Sequence, residues 1–252
     1  IVGTMAHSFV MSFDNELDAF RAYAASFPNN AILLIDTYDT LAGARNAARV
    51  AKEMAEQGKK LVGVRIDSGD LAAQAHAVRK VFDDANLREV KIFGSGGIDE
   101  FDLAKFAAAN IPYDSYGVGT KMGTSADAPW SDISYKLVEF ENRSVLKLSE
   151  GKVSWPGKKQ IFRSCDGQGR MQHDVIGLRE ESLMGQGLLR EYMRNGRTCE
   201  ARPTLIDSRK IFEVEFASLP ENVKAIRNPD RYPVEFSPAL TALRHEITQK
   251  IM

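Results

Sequence analysis

Hydrophobic positions in the first half of the chain alternate between a helical and a strand rhythm. Leu17, Phe20, Ala24 and Phe27 recur at steps of three and four, predicting an amphipathic helix that ends at Pro28-Asn29-Asn30. The continuous apolar run Ala31 to Ile35 then suits a strand buried on both faces, and it closes on the polar cluster Asp36-Thr37-Tyr38-Asp39-Thr40. Leu41, Ala44, Ala48, Ala51 and Ala55 make a helical stripe, with Gly58 placed for a left-handed cap. A second cycle runs from the strand-like Leu61 to Ile66, through Asp67-Ser68-Gly69-Asp70, to a helix marked by Leu71, Ala75, Val78 and Phe82. In a third, Val90 to Phe93 ends in Gly94-Ser95-Gly96-Gly97, and Asp99 caps a helix carrying Phe101 and Phe106. A fourth apolar run, Ser115 to Val118, leads into Gly119-Thr120.

Strand starts near 31, 61, 90 and 115 keep to about the thirty-residue length of a βαβ unit, so this half reads as parallel β/α structure. Whether the sheet is open or closed into a barrel, such connections put ligand-facing residues at the strand C-termini, where all four polar clusters fall. Beyond Pro129 the rhythm changes. Tyr135 to Glu139 and Val145 to Leu148 flank Glu141-Asn142-Arg143 as an antiparallel hairpin. Residues 164–200 read as a loose region with short helical stretches, and a last helix spans Leu240 to Ile251. The expected fold is α/β: a β/α portion over 1–128, then an α+β region over 129–252.

With 33 basic and 34 acidic side chains the net charge is −1, which supplies no global attraction to nucleic acid or an anionic membrane. Cys165 and Cys199 lack the spacing of a metal ribbon or disulfide framework, so a reducing, cytoplasmic setting is expected. The opening Ile1-Val2-Gly3-Thr4 has neither an initiator Met nor the charged and apolar regions of a signal peptide, and reads as an N-terminal truncation.

The strand-end clusters carry the candidate chemistry. Ser95-Gly96-Gly97 and Gly119-Thr120 remove side-chain bulk just before a helix or turn, so backbone N–H groups can approach a phosphate; tight turns alone would also use these glycines. Alternation puts Arg65 and Asp67 on one side of their strand, as a carboxylate-binding guanidinium and a ribose- or cation-facing carboxylate, or as an interior salt bridge. Ser68 and Asp70 are helix-cap candidates. Asp36 and Asp39 flank Tyr38, near enough to hold hydrated Mg²⁺ with a substrate pyrophosphate, though Asp39 or Thr40 serves equally as an N-cap. His7, among small residues, is by itself more often structural than catalytic. Lys158-Lys159 reads as a solvated basic loop rather than a polyphosphate contact. Gly-x-Ser-x-Gly, Walker A and His-Glu-x-x-His motifs are absent.

Five ordered blocks together resemble the nicotinate phosphoribosyltransferase family: Gly3-Thr4-Met5-Ala6-His7-Ser8, Asp36-Thr37-Tyr38-Asp39-Thr40, Gly63-Val64-Arg65-Ile66-Asp67-Ser68-Gly69-Asp70-Leu71, Gly117-Val118-Gly119-Thr120 and Tyr135-Lys136-Leu137-Val138-Glu139. The resemblance implies part of the irregular β/α barrel of a type II phosphoribosyltransferase followed by a C-terminal α+β region, working as a homodimer. It implies that nicotinate and 5-phosphoribosyl 1-pyrophosphate are joined to give nicotinate mononucleotide and pyrophosphate in NAD salvage, with ATP hydrolysis coupled and Mg²⁺ as cofactor. His7 matches a histidine phosphorylated by ATP, and Asp67 a ribose- or pyrophosphate-side carboxylate. Thr4 and Arg65 match nicotinate contacts, with Ser68 counted among the substrate-binding positions. Ser95, Gly96, Gly97, Gly119 and Thr120 match the 5-phosphate site, and Asp36 and Asp39 the acidic residues beside ribose and Mg²⁺. The family's N-terminal region, a source of further active-site groups, has no counterpart in these blocks. Nicotinamide phosphoribosyltransferase shares several elements but typically has Asn-Pro where this chain has Asp70-Leu71. A phosphate-binding β/α domain that no longer turns over is the reading from another class.

Overall fold

The computed structural model describes residues 4–252 and divides the chain into two compact units, the first ending at Ser131 and the second beginning at Asp132. The division falls a few residues beyond the texture change at Pro129. In the first unit, α1 (His7–Met11) and α2 (Glu16–Ser26) precede three β/α repeats. These are β1 (Ile32–Leu34) with α3 (Thr40–Glu56), β2 (Gly63–Ile66) with α4 (Leu71–Asp84), and β3 (Lys91–Ser95) with α5 (Glu100–Ala108). A fourth strand, β4 (Ser115–Gly117), leads into the short α6 (Thr120–Thr124).

The four strands form one parallel sheet in the order β1-β2-β3-β4, with Leu34 opposite Arg65 and Ser95 opposite Gly117. Every strand end therefore opens on the same edge. Ile32, Leu33, Leu34, Val64, Ile66 and Ile92 are buried, as a parallel strand covered on both faces requires. Phe20 of α2 and Phe82 of α4 fill the core from the helices, and α3 packs through its alanine stripe. A side chain at Gly43 would meet the Ile35 carbonyl oxygen at 2.1 Å, so glycine there sets how closely α3 approaches β1. The three helices α3, α4 and α5 start on carboxylate caps: Asp39, Asp70 and Asp99 accept from their backbone N–H groups.

The second unit opens with a minimal hairpin, β5 (Glu139–Phe140) and β6 (Arg143–Ser144), joined through Glu141 and Asn142, both at positive φ. Tyr135 to Leu137 and Val145 to Leu148 lie outside it, so the expected long hairpin shortens to its tip. The loose region expected at 164–200 holds strands and turns and no helix. Strands β7 (Lys159–Cys165) and β8 (Met171–Leu178) pair antiparallel, β9 (Gln186–Gly187) adds to β7, and β10 (Met193–Arg194) and β11 (Arg197–Thr198) form a separate ribbon. Asp166 closes the β7–β8 turn by accepting from the Gln168 and Arg170 N–H groups. A helix absent from the sequence expectation follows, α7 (Leu205–Ser218); then β12 (Val234–Phe236) pairs parallel with β8, and α8 (Pro238–Ile251) ends the chain where a helix was expected.

Lys159 is no solvated basic residue. Its Nζ donates to the carbonyls of Trp155 and Gly157 at 2.7 Å each, while burial lowers its pKa. Lys158 pairs with Glu139 at 2.7 Å.

Candidate active site

Arg65 and Asp67 leave the end of β2 on one side, as alternation requires, and are joined by Arg65 Nη1 donating to Asp67 Oδ1 at 2.6 Å. Nη1 also donates to Ser95 Oγ at 3.0 Å, and that hydroxyl donates to Asp67 Oδ1 at 2.5 Å. Nη2 donates to the Met5 carbonyl at 3.0 Å, which holds the segment before α1 against the sheet. The interior salt bridge, one of the two readings of this pair, is formed. Arg65 Nε is buried without a partner, an uncompensated donor that costs about 1–3 kcal/mol and that a bound carboxylate would relieve.

Asp36, beyond β1, accepts at Oδ2 from the Asp67 backbone N–H at 2.9 Å and from Ser68 Oγ at 2.6 Å. Ser68 consequently braces the turn after β2 and does not cap α4, which Asp70 does through the Ala73 N–H. The other Asp36 oxygen, Oδ1, is buried and unpartnered, 4.0 Å from His7 Nε2. His7 Nε2 is also 3.7 Å from Asp67 Oδ2, and its Nδ1 lies 3.2 Å from Thr37 Oγ1. His7 is partly exposed, within reach of a reactant.

Thr4, Ile32, Arg65, Phe93, Gly94, Ser115, Tyr116 and Gly117 line a pocket of about 270 Å³. Thr4 Oγ1 donates to the Ile32 carbonyl at 3.0 Å and fixes one rim. Phe93 and Tyr116 supply aromatic walls that the strand pattern did not single out. Their signal was present: each lies immediately before the first glycine of a strand-end cluster.

Ser95, Gly96 and Gly97 turn between β3 and α5, with Gly96 at φ +97° and Gly97 at φ +67°. A side chain on Gly96 would strike the Asp67 carbonyl oxygen at 1.9 Å, whereas the space beside Gly97 is open. Gly119 and Thr120 turn into α6 on the neighbouring strand, again with open space beside Gly119. Lys121 Nζ reaches back to Asp99 Oδ2 at 2.6 Å, and this contact, with the backbone N–H groups at the start of α5, holds the Asp99 carboxyl down at about 2.

Asp39 stands apart, since its Oδ1 accepts from the Ala42 N–H at 2.7 Å as the N-cap of α3. Among the described residues no three His, Cys, Asp or Glu side chains gather as a metal cage. Glu16, buried on α2, accepts from Asn46 Nδ2 at 2.9 Å, and its pKa is raised chiefly by burial, with Asp39 and Asp36 adding to the rise. No helix among the described residues is long and apolar enough to cross a membrane.

The site thus defined belongs to an α/β protein whose parallel strands deliver an arginine, paired carboxylates, a histidine and two glycine turns to one edge. Comparison with known proteins narrows that class. The family model described as nicotinate phosphoribosyltransferase C-terminal domain matches residues 184–244. A nicotinate phosphoribosyltransferase of Mycobacterium tuberculosis is 40% identical over 252 residues, covering 98% of this chain and 54% of that protein. The Bacillus subtilis nicotinate phosphoribosyltransferase is 31% identical over 268 residues, covering 94% and 54%. The crystal structure of human nicotinic acid phosphoribosyltransferase superposes with a TM-score of 0.79 at 26% identity, over 98% of this chain and 62% of that one. By sequence and by fold, the chain is related to the nicotinate phosphoribosyltransferase family. It spans about half the length of the curated relatives it matches.

Proposed function

We propose that this chain carries the nicotinate-, ribose- and phosphate-facing part of a nicotinate phosphoribosyltransferase. The reaction joins nicotinate to 5-phosphoribosyl 1-pyrophosphate, giving nicotinate mononucleotide and pyrophosphate, coupled to ATP hydrolysis and serving NAD salvage. The observation that carries this reading is the convergence of Arg65, His7, Asp36, Asp67 and the Ser95–Gly97 turn on one sheet edge in a relative of that family. The sheet is read as an arc of the irregular barrel of type II phosphoribosyltransferases. The complete enzyme is read as a cytoplasmic homodimer.

In this reading the pocket between Phe93 and Tyr116 takes the pyridine ring. Arg65 offers only N–H donors, with Nε unpartnered, so it selects a carboxylate over an amide at the ring's 3-position. That argues for nicotinate rather than nicotinamide. The glycine turns bind the 5-phosphate through backbone N–H groups, and Asp67, paired with Arg65, faces the ribose and stabilises positive charge as the C1–O bond to pyrophosphate breaks. The pyridine nitrogen then attacks C1.

The residues fit Mg²⁺ only as a shared ion. Asp36, with its unpartnered buried oxygen, is the side chain placed to contribute, while the Asp39 oxygen on Ala42 is committed to the helix cap. When bound, Mg²⁺ neutralises the departing pyrophosphate. His7 is the proposed acceptor of the ATP phosphoryl group, since a neutral imidazole nitrogen is a competent nucleophile. Phosphorylation would add a charge of about −1.5 to −2 beside Asp36 and Asp67 and, by repulsion, bias the site between substrate binding and product release. A His7→Asn change in the complete enzyme is expected to abolish ATP stimulation while leaving slow uncoupled transfer; full stimulation in the variant would remove the histidine from the mechanism.

The testing experiment is formation of nicotinate mononucleotide from nicotinate, 5-phosphoribosyl 1-pyrophosphate and Mg-ATP. It is run with this chain and with the same chain carrying the upstream region its relatives possess. Activity in the longer protein is the expected result. Activity in neither would overturn the enzyme assignment and leave a phosphate-binding β/α domain.

A further inference from the structure

We propose that Lys121 is a charge-balancing residue of the phosphate cradle: it masks the Asp99 carboxylate so that a phosphate dianion can settle on the Ser95–Gly97 turn. The proposal rests on the phosphoribosyl reading above.

Asp99 lies two residues beyond Gly97 and is fixed there by its structural duty. It caps α5 by accepting from the Phe101 and Asp102 N–H groups at 3.0 and 2.9 Å, in a reciprocal box with the Asp102 side chain. The helix start therefore places a fixed negative charge beside the turn whose open space at Gly97 is offered to an anion. Uncompensated, that charge would repel a dianion within a Debye length and weaken its binding. Lys121 supplies the compensation from the neighbouring strand's end. Its Nζ is 2.6 Å from Asp99 Oδ2 and 3.9 Å from Asp102 Oδ2, so one ammonium faces both carboxylates at the head of α5. Glu100, also in that first turn, adds to the field that Lys121 offsets. The same contact ties the Gly119–Thr120 turn to the Ser95–Gly97 turn, which β3–β4 pairing already sets side by side through Ser95 and Gly117.

A merely structural ion pair and a charge-balancing one differ in what the second substitution does. Breaking a structural pair from either side is harmful, and removing both partners restores nothing for ligand binding. Charge balancing predicts asymmetry: Lys121→Met exposes the carboxylate, whereas Asp99→Asn keeps the cap, because asparagine is an equally good N-cap, and removes the repulsion.

The experiment is titration of this chain with ribose 5-phosphate, followed through the Gly96 and Gly97 amide signals, with uncharged ribose as control. Thermal melts establish that each variant is folded. Expected are about tenfold weaker ribose 5-phosphate binding in Lys121→Met, near wild-type binding in Lys121→Arg, and recovery in Lys121→Met/Asp99→Asn. Unchanged binding in folded Lys121→Met, or a double variant as weak as the single one, would overturn the charge-balancing role and leave the phosphate site standing. Failure of the wild-type chain to bind ribose 5-phosphate would overturn the phosphate site itself, and this role with it.

Discussion

The two units hold themselves together by different means, although they are similar in length. In the first, strands and helices meet through fully buried apolar side chains, among them Phe20, Leu33, Leu34, Ile66, Phe82 and Ile92. In the second, the large apolar side chains buried among the described residues are Phe162, Met171 and Leu240, and polar groups perform much of the fastening. Arg163 grips Asp174 through two hydrogen bonds at 2.9 and 2.8 Å, Glu181 accepts from Ser237 Oγ at 2.7 Å, and Lys159 closes the Trp155–Gly157 turn. Its helix α7 has no buried residue at all, with Leu205, Phe212 and Val214 exposed. The candidate chemistry sits on the unit with the rigid apolar core. A sheet packed on both faces holds strand ends in register, so groups such as Arg65 and Ser95 meet without help from flexible loops.

The largest expected effect follows from that contrast. Phe82→Ala empties a fully buried position and should destabilise the first unit by about 3–5 kcal/mol, while Phe212→Ala on the exposed face of α7 should change stability by no more than about 0.5 kcal/mol. Denaturant unfolding of the two variants measures both, and equal losses would break the distinction. Lys159→Met comes next. It keeps most of the aliphatic bulk but strips the Trp155 and Gly157 carbonyls of their donor, for an expected loss of about 1–3 kcal/mol confined to the second unit. Local hydrogen exchange near residues 155–159 reads that loss, and wild-type protection there would show that apolar packing suffices in this unit too.

The smallest effect is one of pH. Asp99 titrates at about 2 in the folded protein against an ordinary value of 3.8, so the proton prefers the unfolded chain. Its contribution to stability is complete above about pH 4 and is lost as pH falls toward 2. Asp99→Asn should flatten the stability profile between those values, lowering stability above about pH 4 and leaving it near the wild-type level at about pH 2. A wild-type slope persisting in the variant would assign the acid sensitivity to other carboxylates.

The same contrast explains how much was legible in the sequence. Runs such as Ala31 to Ile35 are strands because both faces are covered, and their apolar continuity shows that directly. The caps Asp39, Asp70 and Asp99 follow from their place before a helical stripe. In the second unit the signal is weak because half-exposed strands and an exposed helix carry little apolar period. Local chemistry still marked them: the Asp166–Arg170 turn carries Gly169 at positive φ, and Thr204 with Asp207 forms the capping box that starts α7. At the site, alternation gave the shared side of Arg65 and Asp67. The contacts of Asp36 with Ser68 and of His7 with Thr37 join residues about thirty positions apart, and such pairings come from sheet order rather than local pattern.

The most direct test of the central claim is the binding of nicotinate mononucleotide to this chain, followed by nitrogen-resolved NMR. One molecule carries the carboxylate, the ribose and the phosphate. Simultaneous shifts of the Arg65 Nε–H signal and of the Gly96 and Gly97 amides are the predicted result, with the Arg65 signal unmoved by nicotinamide mononucleotide. Binding that leaves both the Arg65 and the glycine signals unchanged would contradict the assignment of this sheet edge as the nucleotide site.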